Sequence, residues 1–249
     1  MPSRTCGIAL IGAGAIARVH AAAIAEIPHA RLVAVYDKYE AACRTFADAV
    51  IEVTGAVEWT TDLDALLARS DVDVVHVCTP SGTHAEPAVQ AARAGKHLAV
   101  EKPLDITIAR SKQIIDAARE NGCKLAGIFP YRFRQGIVAA HEAIAQGRLG
   151  QVTLADAYVK WYRSQDDDQG WHGTWALDGG GALINQSIHT IDLLQWLAGP
   201  VTTVYGQVAT LGHEIEAEDT ASAMLTFESG AMGVIQGATS CWPGYPARL

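Results

Sequence analysis

Short unbroken apolar runs alternate with alanine-rich amphipathic stretches along the first half of the chain. Residues 7–11 (Gly-Ile-Ala-Leu-Ile) form one such run, which stops at Gly12. A run with no polar alternation is the pattern of a strand covered on both faces. An alanine-rich helix is expected over 15–27, a second strand over 31–36, and a further helical stretch to about residue 50. A weak strand near 57–59 precedes a short helix over 63–68, for which Asp62 is placed as N-cap. The β-branched run over 72–78 predicts a fourth strand, and the helix over 85–94 closes at Gly95, a residue type suited to a helix C-terminus. A strand over 97–100, a helix over 108–120 ended by Asn121-Gly122, and a strand over 124–128 complete the pattern. Strands separated by helices of this length imply βαβ units and a doubly wound parallel sheet of the Rossmann kind.

From residue 129 the pattern changes, so the chain divides into 1–128 and 129–249. A helix over 136–146 leads to a long strand over 152–161, a polar loop, and a helix over 182–197 ended by Gly199-Pro200. Three strand-like runs follow, over 201–208, 220–227 and 232–239, the last two joined by a hairpin at Glu228-Ser229-Gly230. This half reads as α+β with an open, mainly antiparallel sheet.

Composition narrows the functional classes. The 249 residues are 49% apolar and 18% charged, a balance that supports a core and argues against disorder. A net charge of −8 with no basic run argues against nucleic acid. Five scattered cysteines with no Cys-x-x-Cys pair indicate neither a disulfide framework nor a zinc site, and suit a reducing cytoplasm. The apolar start over 6–17 is broken by Gly12 and Gly14 and lacks a cleavage-like end, so it is not read as a signal peptide, and no run is long enough to span a bilayer.

The chemistry gathers at strand ends. Gly12-Ala13-Gly14-Ala15-Ile16-Ala17 matches G-x-G-x-x-G/A between a strand and a helix, where the glycines permit the tight turn and the approach of a pyrophosphate. The helix N-terminus supplies free N–H groups for the phosphates. Asp37, ending the second strand, is placed to accept from ribose hydroxyls and repel a 2′-phosphate, which favours NAD over NADP; it also reads as a helix cap. Thr79 and Pro80 after the fourth strand are candidates to line the nicotinamide ribose, and His84 is a helix-start residue or a wall of the cofactor pocket. Glu101-Lys102-Pro103 follows the fifth strand, so Glu101 and Lys102 are candidates to line the cofactor; Lys102 falls where a nicotinamide ring would lie and is placed to hydrogen-bond a reacting oxygen.

In the second half, Gly179-Gly180-Gly181 precedes Asn185, His189 and Asp192, which at helical spacing share one face. The glycines let this helix start close to another backbone or a ligand, and Asp192 is placed to orient His189. Zinc ligation by His172, His189 and Asp192 is not favoured, and no metal is expected. Tyr158, Lys160 and Tyr162 read as a polar sheet face or oligomer contact, while Arg163 and the loop over 165–175, with Trp175, are candidates to reach an anionic substrate. Glu216, Glu218 and Asp219 read as a solvated turn, and Asp166-Asp167-Asp168 as solvent-facing.

Together these segments resemble the glucose–fructose oxidoreductase / inositol dehydrogenase / MocA family, in family order across nearly the whole chain. The resemblance implies a Rossmann NAD(P)-binding domain (1–128) and a substrate and oligomerisation domain (129–249) whose open sheet often joins subunits. It implies hydride transfer to or from a secondary hydroxyl of a sugar, inositol or nucleotide sugar, with Lys102 contacting substrate and His189 acting as acid/base. The segments Trp161-Tyr162-Arg163-Ser164-Gln165 and Asn185-Gln186 look like the branch acting on UDP-linked aminouronic acids. Position 185 is an aspartate in inositol-dehydrogenase-like members; Asn185 cannot carry a proton, so a lysine–aspartate–histidine relay is not expected. Family members generally run beyond residue 249, and 241–249 looks like the lead-in to a further strand, so a shortened C-terminus is expected. A cofactor-binding regulator without chemistry is the alternative, although it has no need of Lys102 and His189 together.

Overall fold

A computed structural model describes residues 5–165 and 170–249, so the Asp166–Asp168 run lies outside the described residues. The chain separates into two compact units, Met1–Ile128 and Phe129–Leu249.

The first unit is a six-stranded parallel sheet in the order β3-β2-β1-β4-β5-β6. Its strands are β1 (Cys6–Ile11), β2 (Ala30–Tyr36), β3 (Glu58–Thr60), β4 (Val74–Val77), β5 (His97–Val100) and β6 (Leu125–Gly127). Between them run α1 (Ala15–Ala25), α2 (Glu40–Thr54), α3 (Leu63–Leu67), α4 (Ala85–Arg93) and α5 (Ile108–Glu120). The lack of alternation in β1 has a direct cause. Ala9 and Ile11 face one core layer with Val75, Val100 and Ile114, whereas Ile8 and Leu10 face the other with Ile24 and Phe46. Asp62 caps α3 as expected, accepting from the Ala65 N–H at 3.0 Å, and Thr107 caps α5 through the Arg110 N–H at 3.2 Å. Strand order reverses at β1, between β2 on one side and β4 on the other, which in open α/β sheets is where ligands bind.

The second unit carries α6 (Gln135–Ala145), β7 (Leu154–Lys160), α7 (Ile188–Ala198), β8 (Val201–Ala209), β9 (Thr220–Phe227) and β10 (Met232–Ala238). Its sheet runs β7-β10-β9-β8; β9 is antiparallel to both neighbours, but β7 and β10 are parallel. The parallel pair arises because the connection out of β7 carries α7, a crossover that a hairpin could not replace. Leu194 of α7 packs on Ala157, Leu225, Phe227 and Ile235, which share one sheet face. At the outer edge of β7, Tyr158 exchanges two backbone hydrogen bonds with Arg248, each 2.9 Å, an isolated antiparallel bridge.

One expected element is altered. The single helix predicted over 182–197 starts as a π-helical segment, Ala182–Ser187, and becomes α-helical only at Ile188. Its first turn is held by Glu218, whose carboxylate accepts the N–H groups of Gly181 and Leu183 and whose carbonyl accepts that of Ala182. Among the described residues no helix is long and apolar enough to cross a membrane.

Candidate functional site

At its switch point the first unit presents a glycine turn and a helix end whose geometry suits a dinucleotide. Gly12 has φ +98°, and a Cβ there would sit 2.8 Å from the Cys78 carbonyl oxygen, so only glycine lets the turn lie against the end of β4. Gly14 differs: a Cβ would meet no atom within 4 Å, and the open side belongs to whatever approaches the backbone. The α1 N-terminus has no side-chain cap and no acidic residue in its first turn, leaving its N–H groups and dipole for an anion. Ala15 and Ile16 open that turn and are exposed. Asp37, half-buried after β2, accepts the Ala13 N–H with Oδ2 and the Tyr39 N–H with Oδ1, both at 3.0 Å. It braces the glycine turn rather than capping α2, whose N-cap is Tyr39, and a carboxylate oxygen has lone pairs for further donors. Glycine turn, uncapped helix end and carboxylate fit a dinucleotide.

Two strands along, Glu101 and Lys102 follow β5. Glu101 is buried, with its carboxylate turned inward: Oε1 lies 2.9 Å from His20 Nε2 and Oε2 accepts the Lys102 N–H at 3.1 Å. His20 comes from α1, and its Nδ1 lies 2.9 Å from His76 Nδ1 on β4. Burial alone would raise the Glu101 pKa, but bonds from His20 and the Lys102 N–H hold it below the usual range. Burial, aided by the His20 charge, pushes His76 down to about 4. Glu101, a candidate to line the cofactor, therefore has its carboxylate engaged inside the protein, by His20 and the Lys102 N–H. His84 is also buried, and its ring bridges the carbonyl oxygens of Thr79 (2.8 Å) and Pro103 (2.9 Å), tying the turns after β4 and β5 together. Thr79, Pro80 and Lys102 are half-buried at those strand ends.

In the second unit, His189 is half-buried on α7 and stacks on Tyr131, with ring centroids 4.8 Å apart; Phe129 meets it edge-on at 6.2 Å. Asp192 was expected to orient this histidine. Its two oxygens are instead taken by Arg132 Nε and Nη2 at 2.7 and 2.5 Å, a bidentate pair. Arginine wins because its fork matches both carboxylate oxygens at once. The turn read as solvated is only partly so. Glu216 is exposed and accepts the Trp175 N–H, but Glu218 caps the π segment and Asp219 is fully buried. Asp219 accepts the N–H groups of Leu211, Gly212 and His213, the Thr220 hydroxyl and the His213 ring. Burial would raise its pKa, but these donors hold it low. Backbone N–H groups draw both acids inward, from the nearby 211–213 loop for Asp219 and from the distant 181–183 turn for Glu218.

Asn185 lies in the π segment and points its amide at buried Asp178, Nδ2 to Oδ1 2.6 Å, with His172 Nδ1 at 3.3 Å. His172 thus joins Asn185 and Asp178. Asp178, unnoticed in the sequence, directly precedes the glycine run, and that adjacency was the available signal. Arg163 is half-buried, and Trp175 is largely exposed. Tyr158 bonds Asp156 at 3.2 Å with Lys160 over its ring, a sheet-surface arrangement. Among the described residues no group of three or more His, Cys, Asp or Glu side chains is arranged to hold a metal ion.

A dinucleotide cradle in a parallel sheet, joined to a unit with an open mixed sheet, defines an NAD-binding oxidoreductase of two-domain architecture. The chain belongs to the GFO/IDH/MocA oxidoreductases: residues 6–129 match the NAD-binding Rossmann fold of that oxidoreductase family, and residues 137–249 match the GFO/IDH/MocA C-terminal domain. It is 31% identical over 250 residues to inositol 2-dehydrogenase of Rhizobium meliloti (strain 1021), covering 98% of this chain and 72% of that protein. It is 30% identical over 246 residues to the uncharacterized oxidoreductase YrbE of Bacillus subtilis (strain 168), covering 96% and 69%. Among solved structures, the WlbA dehydrogenase from Bordetella pertussis in complex with NADH and UDP-GlcNAcA superposes with a TM-score of 0.89 at 35% identity, over 98% of this chain and 70% of that one.

Proposed function

We propose that this protein is an NAD-dependent dehydrogenase that moves a hydride between the nicotinamide and a secondary hydroxyl or ketone of a sugar, an inositol or a nucleotide sugar. The observation that carries the reading is the cradle at the switch point, with Lys102 two strands along at the same carboxyl edge of the sheet. NAD supplies the hydride acceptor when bound. The protein's part is to hold the substrate and handle a proton. Lys102 hydrogen-bonds the reacting oxygen and offsets negative charge developing there; His189 takes the hydroxyl proton during oxidation and returns it in the reverse direction. Stacking on Tyr131 keeps the imidazole plane fixed for that exchange. Gly12, Gly14, Ala15, Ile16, Asp37, Thr79 and Pro80 hold the dinucleotide, with Glu101 and His84 supporting them from beneath. Arg163, Trp175 and Asn185 contact the substrate. The inositol 2-dehydrogenase relative and the neighbour bound to UDP-GlcNAcA support this substrate class.

In this reading residues 1–128 are the cofactor domain and 129–249 the substrate domain, and the protein works in the cytoplasm. The sheet face away from α7 exposes Leu154, Tyr205, Met224 and Met232, which favours a homo-oligomer joined through it. The test is nicotinamide absorbance at saturating NAD with inositols, hexoses and UDP-linked uronic acids. Lys102→Met and His189→Ala should each lower turnover by about 10²–10⁴-fold while NADH binding persists. Binding of NADH with no turnover on any sugar would favour a regulator, and full turnover in the double variant would refute the assigned roles.

A further inference from the structure

We propose that His84 is the positioning residue for Lys102, a clasp that closes only when its ring carries both protons and that holds the turns after β4 and β5 at a fixed spacing. The assignment deepens the functional reading above and rests on it for the role of Lys102.

Both contacts of the ring go to atoms that only accept. Nδ1 lies 2.9 Å from the Pro103 carbonyl oxygen, and Nε2 lies 2.8 Å from that of Thr79. A neutral imidazole has one N–H, so it serves one carbonyl and turns a lone pair on the other. The imidazolium serves both. At 1% exposure the ring leaves solvent no access to stand in for a missing bond. The clasp is therefore complete on the acid side of the ring's titration and loses one bond as pH rises through it. Pro103 directly follows Lys102, whose own N–H is held by the Glu101 carboxylate at 3.1 Å. The Lys102 backbone is thus pinned on one side by Glu101 and on the other by His84.

A cation buried at a helix start has to be offset. His84 immediately precedes Ala85, the first residue of α4, where the helix dipole disfavours positive charge. Asp105, 4% exposed, lies at that same end and accepts the Ala85 N–H at 2.9 Å. The other titratable groups on the surrounding elements are engaged elsewhere. Arg110 of α5 bonds Asp105 and Glu86, Glu101 bonds His20, and burial keeps the Cys78 thiol protonated. The bonds of Asp105 and Arg110 tie the α4 start to the turn after β5 whatever the His84 ring carries. Opening the clasp therefore displaces the Lys102 turn without undoing the fold.

Glutamine at 84 carries its donors on a single nitrogen and cannot copy two that diverge from a ring. In the full chain, with NAD and myo-inositol, a hexose or a UDP-linked uronic acid, His84→Gln should lower kcat by about 10–100-fold. KM for the sugar, and NADH affinity by fluorescence titration, should each stay within about threefold of wild type. In a Lys102→Met background the same change at 84 should cost less than about threefold. Losses that multiply, as a structural His84 predicts, would overturn the positioning role. Nitrogen NMR of the histidine-labelled, cofactor-free wild type at about pH 6 reads the ring directly, assigned against His84→Gln or, where that variant does not fold, His84→Asn. Two slowly exchanging ring N–H signals are expected, and a single one would overturn the clasp. If wild type turns over none of these sugars, the functional reading falls and the Lys102 role with it, and the ring signals alone then decide the clasp.

Discussion

Removing the Glu101 carboxylate tests whether the ground beneath Lys102 is built from polar bonds. In Glu101→Ala, two buried donors lose their acceptor, His20 Nε2–H and the Lys102 N–H. Each stranded donor costs about 1–3 kcal/mol. The two together come to about 3–5 kcal/mol. For a unit of this size that corresponds to a melting shift of about 10–15 °C. Glu101→Gln should behave differently. Its carbonyl accepts the Lys102 N–H, its amide donates to His20 Nε2, and His20 then donates from Nδ1 to His76 Nδ1, so a tautomer change in each of the two histidines keeps these bonds. Only the charge assistance is lost, about 1 kcal/mol. Glu101 has a depressed pKa in the fold, so its stabilisation is present above the ordinary carboxylate range and is lost as pH falls through the folded value. The gap between wild type and the glutamine variant should accordingly close on acidification. The assay is calorimetry, with the transition of the first unit assigned by hydrogen exchange in β1, β4 and β5. Equal losses for alanine and glutamine, or an alanine variant melting within about 2 °C of wild type, would refute the reasoning.

Three further outcomes are expected. His76 has its pKa lowered from 6.5 to about 4, so the unfolded chain binds the extra proton first and stability should fall from pH 6.5 down to about 4. His76→Gln should flatten that slope in urea titrations at several pH values, removing a term of about 3 kcal/mol. Gly14→Ala should lower melting by no more than about 5 °C, since nothing lies within 4 Å of its Cβ, yet weaken NADH binding in a fluorescence titration by about tenfold or more; unchanged affinity would place the pyrophosphate elsewhere. Gly181→Ala should cost about 3 kcal/mol in denaturant unfolding, because its Cβ would lie 1.9 Å from the Glu218 carbonyl oxygen.

The cofactor half was legible because its signals are local. An apolar run ending in Gly12, a second glycine at 14 and a carboxylate after the next strand depend on a few consecutive residues and on strand direction. The second half was read less well, for physical reasons. The helix over 182–197 looked uniform, yet the bonds from Glu218 hold its first turn in a π-helical form that periodicity does not register. Asp192 looked free to serve His189 because Arg132, 60 positions away, leaves no mark on the local pattern. Asp219 looked like surface because its many donors come from a loop that folds over it.

The sequence by itself determined the parallel sheet, the place of its switch point and the glycine turn and carboxylate that fit a dinucleotide there. These follow from apolar periodicity and from the backbone freedom of glycine, which act over neighbouring residues. Only the tertiary structure decided what each polar side chain is bonded to. It turned Glu101 inward to His20, gave Asp192 to Arg132, and set Asp178 behind Asn185. A buried donor or acceptor must find a partner, and that partner is chosen by proximity in space, which spacing along the chain does not encode.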